Sequence, residues 1–127
     1  MGPLVLAGAR VLAIELHPGR VQRLRQRFAG APVTVVAADA AALRLPGRPF
    51  RVVASPPYGL SSRLLRTLLA PGSRLVAADL VLQRAVVRRY ATAPRRYWQL
   101  RAGLSLPRRA FRPPPQVDSA VLVVRRG

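Results

Sequence analysis

Apolar residues along this chain gather in short uninterrupted runs, each closed by a polar residue or a turn, and the runs alternate with stretches in helical spacing. "ARVLAIEL" (9–16) is an apolar run ending in an acid, Glu15; the turn His17-Pro18-Gly19 and the Arg-rich amphipathic stretch "RVQRLRQRF" (20–28) follow it. Strand and then helix is the prediction. "VTVVAAD" (33–39) and "FRVVAS" (50–55) repeat the apolar run, ending in Asp39 and Ser55. After Gly59, the apolar positions 60, 64, 65, 68 and 69 fit a helix that stops at Pro71-Gly72. "SRLVAADLVLQ" (73–83) predicts a strand and "RAVVRRYA" (84–91) a short basic helix. "YWQLRAGLSLP" and "SAVLVVRR" predict two more strands, on either side of the proline-rich "FRPPPQ".

Apolar runs that do not alternate are the pattern of parallel strands buried on both faces, so a doubly wound α/β sheet is expected. In such a sheet the carboxyl ends of the strands and the loops after them line the ligand crevice. Glu15, Asp39 and Ser55 all fall at such ends, which delivers three polar groups to one edge. No repeat or linker divides residues 1–127, and a chain of this length is one domain at most.

Charge narrows the partner. The formal net charge is +18, from 22 basic against 4 acidic residues, and every basic residue is Arg. Such an excess opposes compaction and makes a polyanion the leading partner. Nucleic acid is favoured over a membrane surface because the arginines are scattered between elements and do not line one face of a long amphipathic helix. Half the residues are hydrophobic, which argues against a disordered basic tail. The chain has no Cys and a single His17, so a disulfide framework and a thiolate metal site are excluded and zinc is not expected. With no signal segment or apolar stretch of membrane-spanning length, a cytoplasmic protein is the default. Oligomeric state is not legible, and a monomer is the default for a complete chain.

The stretch Ser55-Pro56-Pro57-Tyr58 carries the chemistry. Pro has no N–H, so the peptide joining Pro56 to Pro57 offers a carbonyl acceptor without a competing donor, in a rigid extended conformation. At a strand end it would hold carbonyls and the Ser55 hydroxyl in a fixed arc, beside the flat ring of Tyr58. An arc of acceptors next to a stacking ring suits a planar amine such as the exocyclic amino group of adenine. Taken singly, each residue has a plainer reading. Glu15 could cap the following helix, Asp39 could be a turn acid, Tyr58 and Phe111 could be core aromatics, and PPY alone could be a polyproline II segment or a rigid turn.

In collinear order, these motifs resemble the ribosomal RNA adenine N6-methyltransferases of the Erm and KsgA type. "GARVLAIELHPGRVQRLRQRF" and "LPGRPFRVVASPPYGLSSRLLRTLL" look like the family's second and fourth motif regions, and "FRPPPQVDSAVLVVRR" looks like its F-x-P-x-P-x-V-x-S-x-V signature. The resemblance covers nearly the whole chain, with the Erm branch the closer fit. It implies a Rossmann-like class I methyltransferase sheet, mostly parallel with an antiparallel C-terminal strand. It also implies S-adenosylmethionine as co-substrate, no metal, and 23S rRNA as partner, with macrolide–lincosamide–streptogramin resistance as the outcome.

By the same resemblance, Glu15 with Leu16 would hold the ribose of S-adenosylmethionine, and Asp39 with Ala40 its adenine, with Ser55 bordering that site. Ser55 and the carbonyl of Pro56, ahead of Pro57, would accept hydrogen bonds from the target adenine N6. Tyr58 would stack on the base and Phe111 would close over its other face. Arg84, Arg88 and Arg89 after the fifth strand, and Arg108, Arg109 and Arg112 around the proline-rich loop, are the expected phosphate contacts. Asp79 and Asp118 are expected to be structural.

Three departures from the family's pattern qualify these expectations. The family's glycine-rich loop would precede residue 1, and "MGPLVLAGARV" looks like the tail of the helix after it. The family also continues into a helical C-terminal domain, so the 127 residues are expected to be inactive or weakly active by themselves. Ser55 replaces the commoner Asn, with a shorter reach. The rival readings are a basic RNA-binding remnant without catalysis, and a DNA adenine or protein glutamine methyltransferase, which shares the PPY element.

Overall fold

The computed structural model describes residues 11–15, 17–37, 44–93, 95–111 and 113–127, with backbone alone for 11–15, 36, 37 and 58. Its strands fall into two ladders, a parallel pair near the N-terminus and a four-stranded mixed sheet. They belong to two compact units, residues 1–44 and 45–127.

In the first unit, β1 (Val11–Glu15) and β2 (Val33–Ala37) pair in parallel, with Val11 opposite Val33 and Glu15 opposite Ala37. Between them runs α1 (Pro18–Arg27). Its start is fixed locally: Pro18 supplies a pre-set φ in the first turn, and His17 is the N-cap, its Nδ1 accepting from the Gly19 N–H at 3.1 Å and the Arg20 N–H at 3.4 Å. The single histidine is thus a cap, and it fills the capping role that sequence alone leaves open for Glu15. Val21 of α1 and Val35 of β2 are buried together, with Leu24 and Val33 against them. The turn that returns the chain to β2 uses Gly30 at φ +80°, a backbone conformation that glycine adopts without steric cost.

The second unit is built from β3 (Phe50–Ala54), α2 (Ser61–Leu68), β4 (Leu75–Gln83), α3 (Arg84–Thr92), β5 (Trp98–Leu106) and β6 (Ser119–Arg126). The strand order is β3-β4-β6-β5. β3 and β4 are parallel and joined through α2, whereas β6 is antiparallel to both β4 and β5. The sheet is therefore parallel apart from the last strand, as the family resemblance implies.

The core lies on one face of this sheet. Ala78, Leu80 and Leu82 of β4 pair with Val124, Leu122 and Ala120 of β6, and Leu64, Leu65 and Leu68 of α2 and Val87 of α3 pack onto them. The leucine spacing that predicts α2 is the stripe it buries. The opposite face is thinner, and here the expectation of strands covered on both faces needs correction. Val53 of β3 aligns with Asp79 of β4 and Val123 of β6 on that face, and it is 66% exposed. An uninterrupted apolar run gives no sign of which face is left open. On the same face, Asp79 forms a half-exposed ion pair with Arg125 at 3.3 Å, the structural role expected of it.

Candidate base-binding site

Topology brings the two sequence motifs together. The carboxyl ends of β3 and β4 lie at one edge of the sheet. Because β6 runs antiparallel, its first residue, Ser119, sits opposite Gln83 at the end of β4 and opposite Leu106 at the end of β5. Residues 107–118, which contain the proline-rich segment, therefore span that same edge. Chain segments separated by more than fifty residues in sequence meet there.

The meeting place is an open cleft of about 390 Å³, lined by Ser55, Pro56, Pro57, Val81, Phe111, Pro113, Pro115 and Ser119. That volume lies within the range of small-ligand sites, roughly 300–1,000 Å³. Ser55 and Pro57 are exposed, whereas Pro56 and Phe111 are half-buried. The Pro57 carbonyl accepts from the Leu60 N–H at 2.9 Å, which folds Tyr58–Leu60 into a 3-10 turn that leads into α2. Among the described residues, no donor occupies the Pro56 carbonyl or the Ser55 hydroxyl. The groups expected to accept from an amine thus border the cleft without a donor from any other described residue.

Phe111, also lining the cleft, follows the 3-10 turn Arg108–Ala110, and its N–H donates to the Arg108 carbonyl at 3.2 Å. A cleft lined by an aromatic ring, prolines and hydrogen-bond acceptors is suited to holding a base and testing its edge. Ser55, Pro56, Pro57 and Phe111 are thus brought together. Of Tyr58, the described part is the backbone of the turn adjoining the cleft. Glu15 ends β1 opposite Ala37, and its described part is likewise backbone. Leu16, Asp39, Ala40 and Arg112 lie outside the described residues.

The structure sorts the expected phosphate contacts. Arg84, Arg88 and Arg108 line a second cleft of about 440 Å³, together with Gln83, Gln116 and Asp118. Arg89 is absent from it: its guanidinium lies 5.6 Å from the centre of the Tyr90 ring, which Arg95 also approaches at 5.1 Å. Arg109 is exposed and does not line it either. Helical spacing groups Arg84, Arg88 and Arg89, but it does not reveal which of them faces the proline-rich segment. Sequence reasoning missed Val81 and Ser119 as lining residues of the first cleft. Ser119 is the serine of the quoted signature, fully buried at the edge. Among the described residues, no group of three His, Cys, Asp or Glu side chains could hold a metal. No described helix is long and apolar enough to cross a membrane.

Residues 5–126 match the family described as ribosomal RNA adenine dimethylase. The ribosomal RNA small subunit methyltransferase A of Cupriavidus necator is 36% identical over 138 aligned positions, covering 94% of this chain and 49% of that protein. An rRNA adenine N-6-methyltransferase of Corynebacterium diphtheriae is 35% identical, covering 98% of this chain and 52% of its own length. Among solved structures, the 23S rRNA methyltransferase ErmE superposes with a TM-score of 0.83 at 28% identity, over 93% of this chain and 52% of that one. A dimethyladenosine transferase from Plasmodium falciparum, 22% identical with a TM-score of 0.79, shares the fold. The chain thus spans about half the length of the relatives it matches. With residues 5–126 matched, the chain belongs to the ribosomal RNA adenine dimethylase family.

Proposed function

We propose that the chain is the base-binding part of an rRNA adenine N6-methyltransferase, with 23S rRNA as substrate and macrolide–lincosamide–streptogramin resistance as the outcome. The observation that carries this reading is the cleft lined jointly by Ser55, Pro56, Pro57 and Phe111. S-adenosylmethionine is the methyl donor in this proposal, supplying a methyl group on a sulfonium centre. Ser55 and the Pro56 carbonyl accept hydrogen bonds from the adenine amine and draw its lone pair out of conjugation with the ring. Phe111 and Tyr58 hold the base on its two faces, which fixes the direction of attack. The base enters unpaired or extruded, and stacking on these rings replaces its lost neighbours.

The donor would be held by Glu15, Leu16, Asp39 and Ala40, with Ser55 at the border. This part of the proposal is supported by the family's pattern and by the parallel pairing that ends at Glu15 and Ala37. The 23S substrate is supported by the likeness to ErmE. The relative in Cupriavidus necator, named for the small subunit, favours 16S rRNA as a second reading.

Labelled-methyl incorporation from S-adenosylmethionine into 23S rRNA, 16S rRNA, duplex DNA and protein separates the alternatives. The proposal expects label in 23S rRNA, recovered as N6-methylated adenine, at most weak from these 127 residues by themselves. Label in 16S rRNA selects the second reading, and label in DNA or protein contradicts both. No label in any acceptor, together with RNA binding indifferent to the base, replaces both with an RNA-binding remnant.

A further inference from the structure

The second cleft differs from a random patch of surface arginines in how its side chains are held. Asp118 joins two of them. Its carbonyl accepts from the Arg84 N–H at 3.0 Å, and its carboxylate accepts from the Arg108 N–H at 2.9 Å. The same carboxylate lies 3.6 Å from the Arg84 guanidinium and 3.8 Å from that of Arg108. Each arginine has a further tether: Arg84 donates to the Ser105 hydroxyl at 2.7 Å, and Arg108 to the Gln116 carbonyl at 3.1 Å. Arg88, exposed on the next turn of α3, completes the lining.

Three arginines and one carboxylate line the cleft, which leaves it strongly cationic. An arginine carries five N–H donors in a planar fork, and these contacts use only part of them. Tethering removes rotamer freedom before any ligand arrives, so less ordering entropy is lost on binding. The ligand chemistry that fits is a tetrahedral oxyanion accepting from two forks, such as a phosphodiester. The place is also informative. Asp118 lines this cleft, and the next residue, Ser119, lines the base cleft.

We propose that Arg84, Arg88 and Arg108 form a subsite for one backbone phosphate of the RNA, adjacent to the base in the first cleft. Asp118 is its positioning residue, holding the two tethered arginines in register with Phe111. The subsite rests on the reading of the first cleft as a base pocket.

The test uses the full chain and a short RNA stem-loop with one unpaired adenine, prepared as a series in which each linkage in turn is an uncharged methylphosphonate. The wild-type chain should lose about five- to ten-fold in affinity for one linkage beside the adenine. Arg84→Gln and Arg108→Gln should each weaken binding of the unmodified RNA by a similar factor and lose nothing further at that linkage. Asp118→Asn keeps an oxygen to accept from the Arg108 N–H but removes the charge. It should retain overall affinity and lose the distinction between linkages, whereas a merely structural role would move both together or neither.

Equal sensitivity of the wild type and both arginine variants at every linkage would overturn the subsite. An Asp118→Asn variant with full linkage discrimination would overturn the positioning role. Replacing the adenine by purine riboside separates the two clefts. If affinity is unchanged while the linkage coupling persists, the base pocket fails and the phosphate site stands. If the base is discriminated and no linkage couples, the reverse holds.

Discussion

Gln83 and Ser119 face each other across the antiparallel ladder of β4 and β6, at the point where one strand leaves the sheet's edge and the other enters it. That pairing sets the site. It makes residues 107–118 cross the edge where Ser55-Pro56-Pro57 emerges, so an aromatic ring from one motif meets carbonyl acceptors from another. Neither motif forms the cleft by itself.

Phe111 is half-buried, so its contribution to the fold is small beside its contribution to the cleft. Phe111→Ala should weaken binding of an RNA carrying an unpaired adenine by roughly ten-fold, the scale of one lost base–aromatic stack of about 1–3 kcal/mol. The salt dependence of binding should stay the same, since no phosphate contact is removed. Fluorescence anisotropy at several salt concentrations reads both quantities.

Arg126 and Arg108 should behave as opposites, although both are arginines near a strand end. Arg126 donates to the Ser73 carbonyl at 2.7 Å and to the Leu75 carbonyl at 2.8 Å, and its guanidinium lies 4.5 Å from the centre of the Trp98 ring. Arg126→Gln should lower stability by about 1–2 kcal/mol, because two carbonyls and a ring face lose their partner. Its effect on the salt slope of RNA binding should be slight. Arg108→Gln should reduce that slope by about 0.7, the value for one phosphate contact on a single strand, and leave the unfolding midpoint nearly unchanged. Urea unfolding and binding titrations distinguish the two patterns.

Ser61 opens α2 with its hydroxyl buried and without a hydrogen-bond partner among the described residues. Removing a buried polar atom that has no partner recovers its desolvation cost, and alanine also favours helix. Ser61→Ala should therefore raise stability by about 1 kcal/mol, seen as a higher denaturant midpoint at an unchanged slope. A drop in midpoint would mean that the hydroxyl bonds a group outside the described residues.

The elements were legible because each is written in a local pattern. The leucines of α2 stand at helical spacing, Pro71-Gly72 stops that helix, and apolar runs mark the strands. Ser55-Pro56-Pro57 and Phe111 were legible through motif order, and the structure places them in one cleft. Strand direction was legible only through the family resemblance, and its consequences for the edge were not. The burial of Ser119 at the edge follows from the antiparallel course of β6, which no local pattern encodes. Val53 continues the apolar run of its half-buried neighbours Val52 and Ala54, yet it is 66% exposed. Side-chain assignments among the arginines were hidden for a related reason. Composition reports the charge of Arg84, Arg89 and Arg126 alike, while their partners are Asp118, Tyr90 and the Ser73 and Leu75 carbonyls.

The central claim, that the cleft reads the amino group of an unpaired adenine, is tested most directly by one comparison. Binding of the chain to an RNA stem-loop with one unpaired adenine is measured against the same RNA carrying purine riboside, which keeps the ring and lacks the exocyclic amine. Acceptance of the amine by Ser55 and the Pro56 carbonyl predicts roughly two- to ten-fold tighter binding of adenine, the scale of a net hydrogen bond of about 0.5–1.5 kcal/mol. Ser55→Ala should reduce that preference. Equal affinity for the two RNAs would contradict the account and leave a cleft that holds a base without reading it.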